Sequence, residues 1–471
     1  MLSHDGRTLP TTLVAALALA LCAAVMAAAY SATQPPSQPA KKQLLQRGPH
    51  VSAALQPFAI ATPPKKARPA RSGVVSCSRP GPTNHVANCK SRSRPAVEPW
   101  IVARGRLLVA AASDYDSWNG QAALGFYWSQ DGRSWFDAGP LDLFPHEEKS
   151  AGGDPQLAID AHGVVYYSAV RFSFTRCDLG GVELLRRDPV SGTWRPVEIA
   201  QNSKEALQDR PSIAVDERTL YFSWTRFDSC RGDDGPSHLQ VALLPAGSAA
   251  ARPTSVLTVP SSTFSQGATI GADGRDGFWL AWEEYSDAYA ATGWIELAHW
   301  SPAAGWNVPL RISPPQFRDL PSPLPGFRFS TTSAPVIAVV RGEPRVAWAS
   351  SDSGVGRVYL WSPSGLSAVL DRGGDQLLPA LAPDGLGGVA VSFSRADRRR
   401  HTLDRLVATS GRTRVVSTAP SYPNEDAFFS GRFIGDYTGL ALVGGTPAPI
   451  WTDLRRHAGS LLEPASAMTA S

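Results

Sequence analysis

Acidic and basic side chains gather at two recurring positions of this sequence, next to short apolar segments. Aspartates stand where one kind of segment begins, and arginines stand where a second, aromatic-rich kind ends. These candidate ligand-binding residues are Asp154, Asp209, Asp436, Arg171, Arg226, Arg395 and Arg455. Because a guanidinium binds a carboxylate through a bidentate fork, several arginines around one cavity would suit an anionic ligand. Converging carboxylates would also suit Ca²⁺, but the interleaved arginines argue against it, and we expect no metal and no cofactor.

The segments that carry these residues belong to a repeat, which occurs seven times. Each copy has an apolar run of about four residues, a polar or Gly-rich turn, a second run rich in Val, Tyr, Phe and Trp, and a charged cluster. The copies begin at Glu98, Asp154, Arg210, Gly267, Ala334, Leu378 and Tyr437. Spacings of 44 to 67 residues fit a four-stranded propeller blade. The repeats therefore predict an all-β, seven-bladed β-propeller of four-stranded antiparallel blades over residues 97–471, with a six-bladed propeller as the alternative.

The seventh repeat has room for only two or three strands before the chain ends at residue 471. A closed propeller leaves no open sheet edge, so the missing outer strand must come from elsewhere. We expect residues 50–96 to donate it and thereby to fasten the first blade to the last.

The strand order of a blade decides which side chains meet. The start of the first strand and the end of the second lie at the same end of a propeller, so the charged residues should collect around one mouth of the central channel. Such a mouth is the usual concave ligand site. Each residue taken alone is more typical of an ordinary polar loop, because loops carry turn chemistry as well as sites, whereas the set together favours a ligand site.

The N-terminal region differs from the rest of the chain. Residues 1–30 contain the apolar run 13–30 and predict a signal peptide or an N-terminal membrane anchor. Residues 31–75 are rich in Pro and Ala, and residues 31–96 hold eleven Lys and Arg but no Asp or Glu. We expect a disordered basic tether, which serves as a spacer or adheres to an anionic envelope component. The protein would be a monomer, either secreted or on the extracellular face of the cell envelope, with no nucleic-acid partner.

Four cysteines follow Cys22, an even number that suits disulfide bonds in an exported chain. Cys177 and Cys230 end equivalent segments of neighbouring repeats, so we expect them to pair. Cys77 and Cys89 would then close a local loop within residues 76–96. No cysteine or histidine spacing indicates a zinc site.

Segments such as "GGDPQLAIDAHGVVYYS" and "GDYTGLAL" resemble the repeats of exported bacterial sialidase-like propellers, across most of residues 97–457. "SQDGRSW", residues 129–135, resembles the Asp box of BNR repeats, shortened by one residue. The resemblance implies a site at the channel mouth, with Tyr437 as a nucleophile, Glu283 as its partner and Asp114 as the acid. We expect a protein that binds a glycan or protein ligand at the cell envelope. The alternative is a glycoside hydrolase of the exo-sialidase kind, acting on acidic glycans.

Overall fold

The structure is a computed structural model. It describes residues 73–77, 84–90, 95–115, 123–141, 150–173, 176–230, 236–247, 252–287, 293–314, 319–352, 354–369, 373–410, 412–426, 428–455 and 466–470. The predicted signal or anchor segment 1–30 and nearly all of the tether 31–75 lie outside these residues. Within them, no helix has the length and apolar character needed to cross a bilayer.

The described residues form thirty strands and one short 3₁₀ helix, Pro423–Glu425. In chain order the strands are β1 Val75–Ser76, β2 Asn84–Val86, β3 Ala96–Arg104, β4 Leu107–Asp114, β5 Ala123–Ser129, β6 Trp135–Asp137, β7 Ser150–Ile159, β8 Val165–Ser173, β9 Gly180–Arg187, β10 Trp194–Gln201, β11 Leu207–Val215, β12 Thr219–Phe227, β13 Ser237–Pro245, β14 Ser255–Thr258, β15 Ser265–Ala272, β16 Phe278–Tyr285, β17 Gly293–Ser301, β18 Gly305–Trp306, β19 Leu310–Arg311, β20 Val336–Val340, β21 Glu343–Asp352, β22 Val355–Ser362, β23 Gly365–Ala368, β24 Asp375–Pro383, β25 Val389–Asp397, β26 Thr402–Thr409, β27 Arg412–Val415, β28 Gly439–Val443, β29 Thr446–Asp453 and β30 Ser466–Ala470.

These strands pair into seven antiparallel sheets within the described part of the chain. Blade 1 contains β3 to β6 with β1 at its outer edge, and blades 2 and 3 contain β7 to β10 and β11 to β14. Blade 4 contains β15 to β18, with β19 also paired to β17, whereas blades 5 and 6 contain β20 to β23 and β24 to β27. Blade 7 contains β28, β29, β30 and β2.

The first strands of neighbouring blades contact one another in sequence around a ring. The contacts run from β3 to β7, β11, β15, β20, β24 and β28, and β28 returns to β3. Each first strand therefore lies innermost, beside the channel. The predicted all-β propeller of four-stranded antiparallel blades is confirmed.

An N-terminal strand completes the last blade. Strand β2 pairs with β30, and the register places Asn84 opposite Ala470. The Asn84 side chain donates to the carbonyl of Val416 at 2.9 Å and accepts from the backbone N–H of Thr418 at 2.7 Å. Arg455 donates to the same Asn84 oxygen at 2.9 Å. The donated strand expected from residues 50–96 is therefore present.

The core lies between the faces of neighbouring blades. Trp135, Trp224, Trp282 and Trp348 are fully buried. Tyr221 of blade 3 packs against Phe278 of blade 4, with ring centroids 5.0 Å apart. Large aromatic rings fill the space between the flat faces of neighbouring blades, which accounts for the tryptophan-rich sequence.

Both predicted disulfides are confirmed. Cys177 and Cys230 have Cα atoms 5.3 Å apart and join the loops that follow β8 and β12, the second strands of blades 2 and 3. Cys77 and Cys89 have Cα atoms 5.5 Å apart and close the local N-terminal loop. Equivalent loops of adjacent blades are thus neighbours, as the repeat alignment requires.

The turn 129–135 joins the third and fourth strands of blade 1. Its Asp131 carboxylate accepts hydrogen bonds from the backbone N–H groups of Arg133 and Ser134, at 2.8 and 2.7 Å. The Trp135 indole donates to the carbonyl of Gly132 at 3.2 Å. These bonds stabilise the hairpin, so the segment has a structural role in the outer half of its blade.

A bulge recurs where the first strands begin. Glu98, Asp154, Arg210 and Leu378 all have a left-handed backbone, with φ between +48° and +56°, and each precedes a proline. The pairing of the first and second strands shifts register at these points. A left-handed bulge residue re-aims its side chain relative to the strand. Gly267 holds the equivalent place in blade 4, with φ +64°.

Candidate functional site

The bulges surround a narrow cavity at the end of the channel where the first strands begin. The free space inside it is about 30 Å³, and it opens to solvent at the channel mouth. The lining residues include Trp100, Asp154, Gln156, Arg210, Pro211, Gly267, Thr269, Thr332, Pro335, Leu378, Asp436 and Tyr437. Six of the seven blades contribute a first-strand residue or the residue just before it. The predicted channel-mouth location therefore coincides with a real cavity.

Among the described residues, Arg210 is the one arginine that lines this cavity. Burial acts to lower the pKa of its guanidinium, but the carboxylates of Asp436, Glu283, Asp154 and Asp209 outweigh burial and raise that pKa above its usual value. Asp209 precedes Arg210 on β11 and is completely buried. The guanidinium is therefore held permanently charged by acidic groups from blades 2, 3, 4 and 7.

Glu283, on β16, lies beside the same point of the cavity. A β-carbon placed on Gly267 would be 3.2 Å from Glu283 Oε2 and 3.7 Å from Arg210 Nη1. Glu283 is 1% exposed. Burial first, and the charge of Asp319 second, raise its pKa to about 8, although Arg210 opposes the shift. The carboxyl group is thus mostly protonated at neutral pH.

Glu98, in blade 1, is a second buried acid at the mouth. Ser113 donates a 2.7 Å hydrogen bond to Glu98 Oε2. Burial raises the pKa of Glu98 well above its usual value, and the charges of Asp154 and Asp436 raise it further. Two acids around the channel are therefore tuned toward their neutral forms by their surroundings.

Several buried polar atoms here have no hydrogen-bond partner in the described part of the chain. They are Glu98 Oε1, Gln156 Oε1, Gln266 Oε1, Arg210 Nη1 and both carboxyl oxygens of Glu283. Unsatisfied buried polar groups are rare in native proteins, because each costs about 1–3 kcal/mol. Their concentration around one cavity indicates a site built for a polar ligand.

An aromatic pair borders the polar groups. Trp100 of blade 1 and Tyr437 of blade 7 meet edge to face, with ring centroids 6.0 Å apart. The Tyr437 hydroxyl donates to the carbonyl of Pro155 at 3.0 Å. Burial, followed by the charges of Glu98 and Asp154, raises the pKa of Tyr437 well above its usual value.

The four arginines predicted from sequence lie elsewhere. Arg171 pairs with Glu183 at 2.7 Å, Arg395 with Asp404 at 3.0 Å and Arg455 with Asp453 at 2.9 Å, while Arg226 pairs with Asp228. None of the four lines the central cavity. Each is close in sequence to a carboxylate that it can reach within its own blade, and this local pairing keeps it from the channel.

Of the acids predicted from sequence, some lie at the cavity and one does not. Asp154 and Asp436 line the cavity, with Asp209 buried next to Arg210. Asp114 instead accepts a 2.8 Å hydrogen bond from the Tyr127 hydroxyl within blade 1. Arg210 and Glu98 were expected at this end of the propeller as repeat starts, but they were not among the candidate ligand-binding residues. The signal that identifies them is a charged residue directly before proline at the start of a first strand.

Within the described ranges, one group of three could converge on an ion: Cys77, Cys89 and Asp137. Its two sulfur atoms form a disulfide, and Asp137 accepts backbone hydrogen bonds from Cys89 and Lys90 at 2.7 and 2.8 Å. This group therefore holds the N-terminal loop in place.

No protein-family model matches the chain, and no curated protein matches it. Among solved structures, a Trypanosoma rangeli sialidase is similar, with 11% identity and a TM-score of 0.41 over 70% of this chain. The chain spans 58% of that sialidase's length. A Dyadobacter fermentans protein of unknown function has 11% identity and a TM-score of 0.44, covering 73% of this chain and 98% of that one. A Penicillium chrysogenum α-L-arabinanase complexed with arabinobiose has 14% identity and a TM-score of 0.42, covering 67% and 93%.

Proposed function

We propose that this protein binds a glycan at the channel mouth, with a polar group of one sugar residue directed into the cavity toward Arg210 and Glu283. The observation that carries the proposal is the set of buried donors and acceptors around the cavity that lack a hydrogen-bond partner among the described residues. A sugar presents several hydroxyl groups in a small volume, and each hydroxyl both donates and accepts hydrogen bonds. A ligand of this kind would satisfy groups that are otherwise costly to bury.

The neighbouring rings favour the same ligand class. Trp100 and Tyr437 form part of the cavity wall and supply apolar surface beside polar atoms. Ligand sites commonly combine apolar walls with a few placed polar groups, which fix the orientation of the ligand. Sugar rings carry both apolar C–H faces and polar edges and so match this combination.

A glycan array probed with the propeller tests the proposal. Wild-type protein should be retained by a defined set of oligosaccharides, and Arg210→Met should lose that retention. Arg218→Met is the matched control, because Arg218 lies on the β11–β12 hairpin of the same blade, 76% exposed and paired with Asp276. Retention of Arg210→Met at the wild-type level would reject the site, and no retention of wild type would reject the function.

A second candidate function is hydrolysis of a glycosidic bond at the same site. The observation that favours it is Glu283, whose pKa of about 8 leaves it protonated at neutral pH. A buried carboxylic acid with a raised pKa can protonate a leaving oxygen, as glycosidases require. Tyr437 and Asp114 are the other candidate catalytic residues. The Tyr437 hydroxyl, however, donates a hydrogen bond to the Pro155 carbonyl, and the Asp114 carboxylate accepts one from the Tyr127 hydroxyl.

Fluorogenic glycosides separate the two functions. If the protein hydrolyses one of them, Glu283→Gln should lower kcat by about 10²–10⁴, the usual contribution of an acid catalyst. The rate should also fall as pH rises through about 8, when Glu283 loses its proton. Hydrolysis that survives Glu283→Gln would remove this assignment, and no hydrolysis of any glycoside would leave binding alone.

We also propose that the protein acts outside the cytoplasm, at the cell envelope. The two disulfides support an oxidising compartment, where such bonds persist. The basic tether would associate with an anionic envelope component, and the propeller would act as a monomer. Fractionation of cells tests the location, since recovery of the protein with reduced thiols in the cytoplasm would contradict it.

A further inference from the structure

The charges around the cavity are unequal in number. In the part of the chain that the structure describes, the lining contains one arginine, Arg210, and two aspartates, Asp154 and Asp436. Asp209 and Glu283 lie next to Arg210. Arg171, Arg395 and Arg455 are paired with carboxylates of their own blades. The cavity therefore offers an incoming ligand more acceptor oxygens than cationic donors.

We propose that the site selects a sugar that carries a protonated amine and rejects sugars that carry a carboxylate, an inference that rests on the glycan-binding function above. Glu283 supplies the main contact, because it is buried beside the cavity wall and, among the described residues, its oxygens have only a weak interaction with the Tyr285 hydroxyl, which itself donates to Asp319. An ammonium group has three donors and no acceptor, so it complements such a carboxylate.

A carboxylate on the ligand would be repelled at the place where an ammonium group is attracted. It would approach Arg210, whose guanidinium already faces Asp436, Glu283, Asp154 and Asp209. Its charge would also lie close to the carboxylates of Asp154, Asp209 and Asp436 in a poorly solvated cavity. Like charges at short range in a low dielectric repel strongly, so such a ligand loses affinity.

Proton release gives the proposal a readout of its own. Glu283 faces Arg210, Asp319, Asp436, Tyr285 and Gln266, and it is mostly protonated at neutral pH. An ammonium group next to Glu283 favours the ionised carboxylate, so binding should release a proton. A neutral sugar should bind without this release.

Isothermal titration calorimetry with three oligosaccharides of equal length tests the preference. The probes are an oligosaccharide of glucosamine, its N-acetylated counterpart and one of galacturonic acid, each titrated at about pH 6, where the sugar amine and Glu283 both hold their protons, in two buffers that differ in ionisation enthalpy. The glucosamine oligosaccharide should bind at least about tenfold more tightly than the N-acetylated one and should release a proton. Tightest binding by the galacturonic acid oligosaccharide, or equal binding by all three, would overturn the inference while leaving glycan binding intact.

A pair of variants assigns the effect to Glu283. Glu283→Gln should abolish the preference for the amine and the proton release. Glu284→Gln should preserve both, because Glu284 is the next residue of β16, and its carboxylate accepts from Ser265 and Trp282 at 2.7 and 2.6 Å, away from the cavity lining. Preference unchanged in Glu283→Gln would contradict the assignment.

A further experiment distinguishes failure of this inference from failure of the proposed glycan-binding function. If none of the oligosaccharides binds, thermal unfolding is measured with putrescine and with succinate, four-carbon chains of opposite charge. Stabilisation by putrescine that disappears in Glu283→Gln would support the cation preference even though the glycan function fails. Stabilisation by succinate, or by neither compound, would overturn the inference.

Discussion

The hydroxyl of Tyr437 donates a 3.0 Å hydrogen bond to the carbonyl of Pro155, which joins blade 7 directly to blade 2. Blade 1 lies between them in the ring, and its Trp100 packs against the Tyr437 ring. The bond therefore spans the point where the first and last blades meet. It also holds the proline that follows the Asp154 bulge, so closure of the ring and the shape of the site depend on the same contact.

Replacement of Tyr437 by Phe should destabilise the fold. The change removes one buried hydrogen bond and leaves the Pro155 carbonyl without this donor, which should lower the free energy of unfolding by about 1–3 kcal/mol. Urea denaturation followed by tryptophan fluorescence measures it. An unchanged free energy of unfolding would mean that the bond does not help to close the ring.

Arg405 is a buried arginine that ties blade 6 to blade 7. It is 1% exposed, and burial lowers the pKa of its guanidinium to about 9. Its donors reach the carbonyl of Leu378 at 3.1 Å and the hydroxyls of Ser394 at 3.2 Å and Thr438 at 2.6 Å. The guanidinium thus holds the bulge of blade 6 against the first strand of blade 7.

Arg405→Met should lower the free energy of unfolding by about 3 kcal/mol, because several buried acceptors lose their hydrogen-bond donor at once. Arg412→Met is the control, since Arg412 is exposed on the outer strand of the same blade. Denaturant unfolding of both variants measures the difference. Equal stability of the two variants would show that the buried network contributes nothing.

The Cys177–Cys230 bridge should contribute more stability than the Cys77–Cys89 bridge. The two bridges span 53 and 12 residues of sequence, and in the chain-entropy model their loops correspond to about 4 and about 3 kcal/mol. Double replacement by Ser of each pair, followed by thermal unfolding, tests the order. A larger loss on removal of Cys77–Cys89 would show that the N-terminal clasp, rather than loop length, governs the stability of the ring.

Stability should fall as pH rises from about 4.5 to about 8. Burial, with the charge of Asp319, raises the pKa of Glu283 to about 8 from 4.5, and burial, with the charge of Asp114, raises the pKa of Asp137 to about 7 from 3.8. In this window the folded protein keeps protons that the unfolded chain has released, so rising pH favours unfolding. Each such proton corresponds to about 1.4 kcal/mol per pH unit.

The pH dependence should flatten in Glu283→Gln and in Asp137→Asn, because each variant removes one raised pKa. Glu343→Gln serves as the control, since that side chain lies 60% exposed on a hairpin of blade 5. Unfolding free energies measured between pH 4.5 and 8.5 give the slope. A slope that stays the same in both buried-acid variants would contradict these pKa assignments.

The repeat pattern was sufficient to predict the propeller, the donated N-terminal strand and both disulfides, because each depends on where strands begin and end. Hairpin turns and alternating apolar runs determine those points locally. The start of β2 near Asn84 was predictable only as a missing edge, since a three-residue strand has too little pattern of its own.

The identity of the site residues was harder to predict. Arg171 and Arg395 stand at the expected strand ends, yet nearby Glu183 and Asp404 pair with them and hold them within their blades. Arg210 reaches the cavity through a left-handed bulge, and a backbone angle of this kind is only weakly encoded by the proline that follows. Side-chain direction at a bulge and competition between ion pairs both depend on tertiary geometry, which strand positions alone do not specify.

The most direct test of a glycan site at the channel mouth is calorimetric titration of the three oligosaccharides into Gly267→Ala. A β-carbon at Gly267 would crowd Glu283 Oε2 and the Ala334 β-carbon, both at 3.2 Å, whereas one at Gly274 meets nothing within 4 Å. The two glycines have similar left-handed φ angles, +64° and +72°, so Gly274→Ala controls for backbone strain. Every oligosaccharide that binds wild type should bind Gly267→Ala at least about tenfold more weakly and Gly274→Ala within about twofold. Undiminished binding by Gly267→Ala, or no binding by wild type, would contradict a glycan site at this cavity.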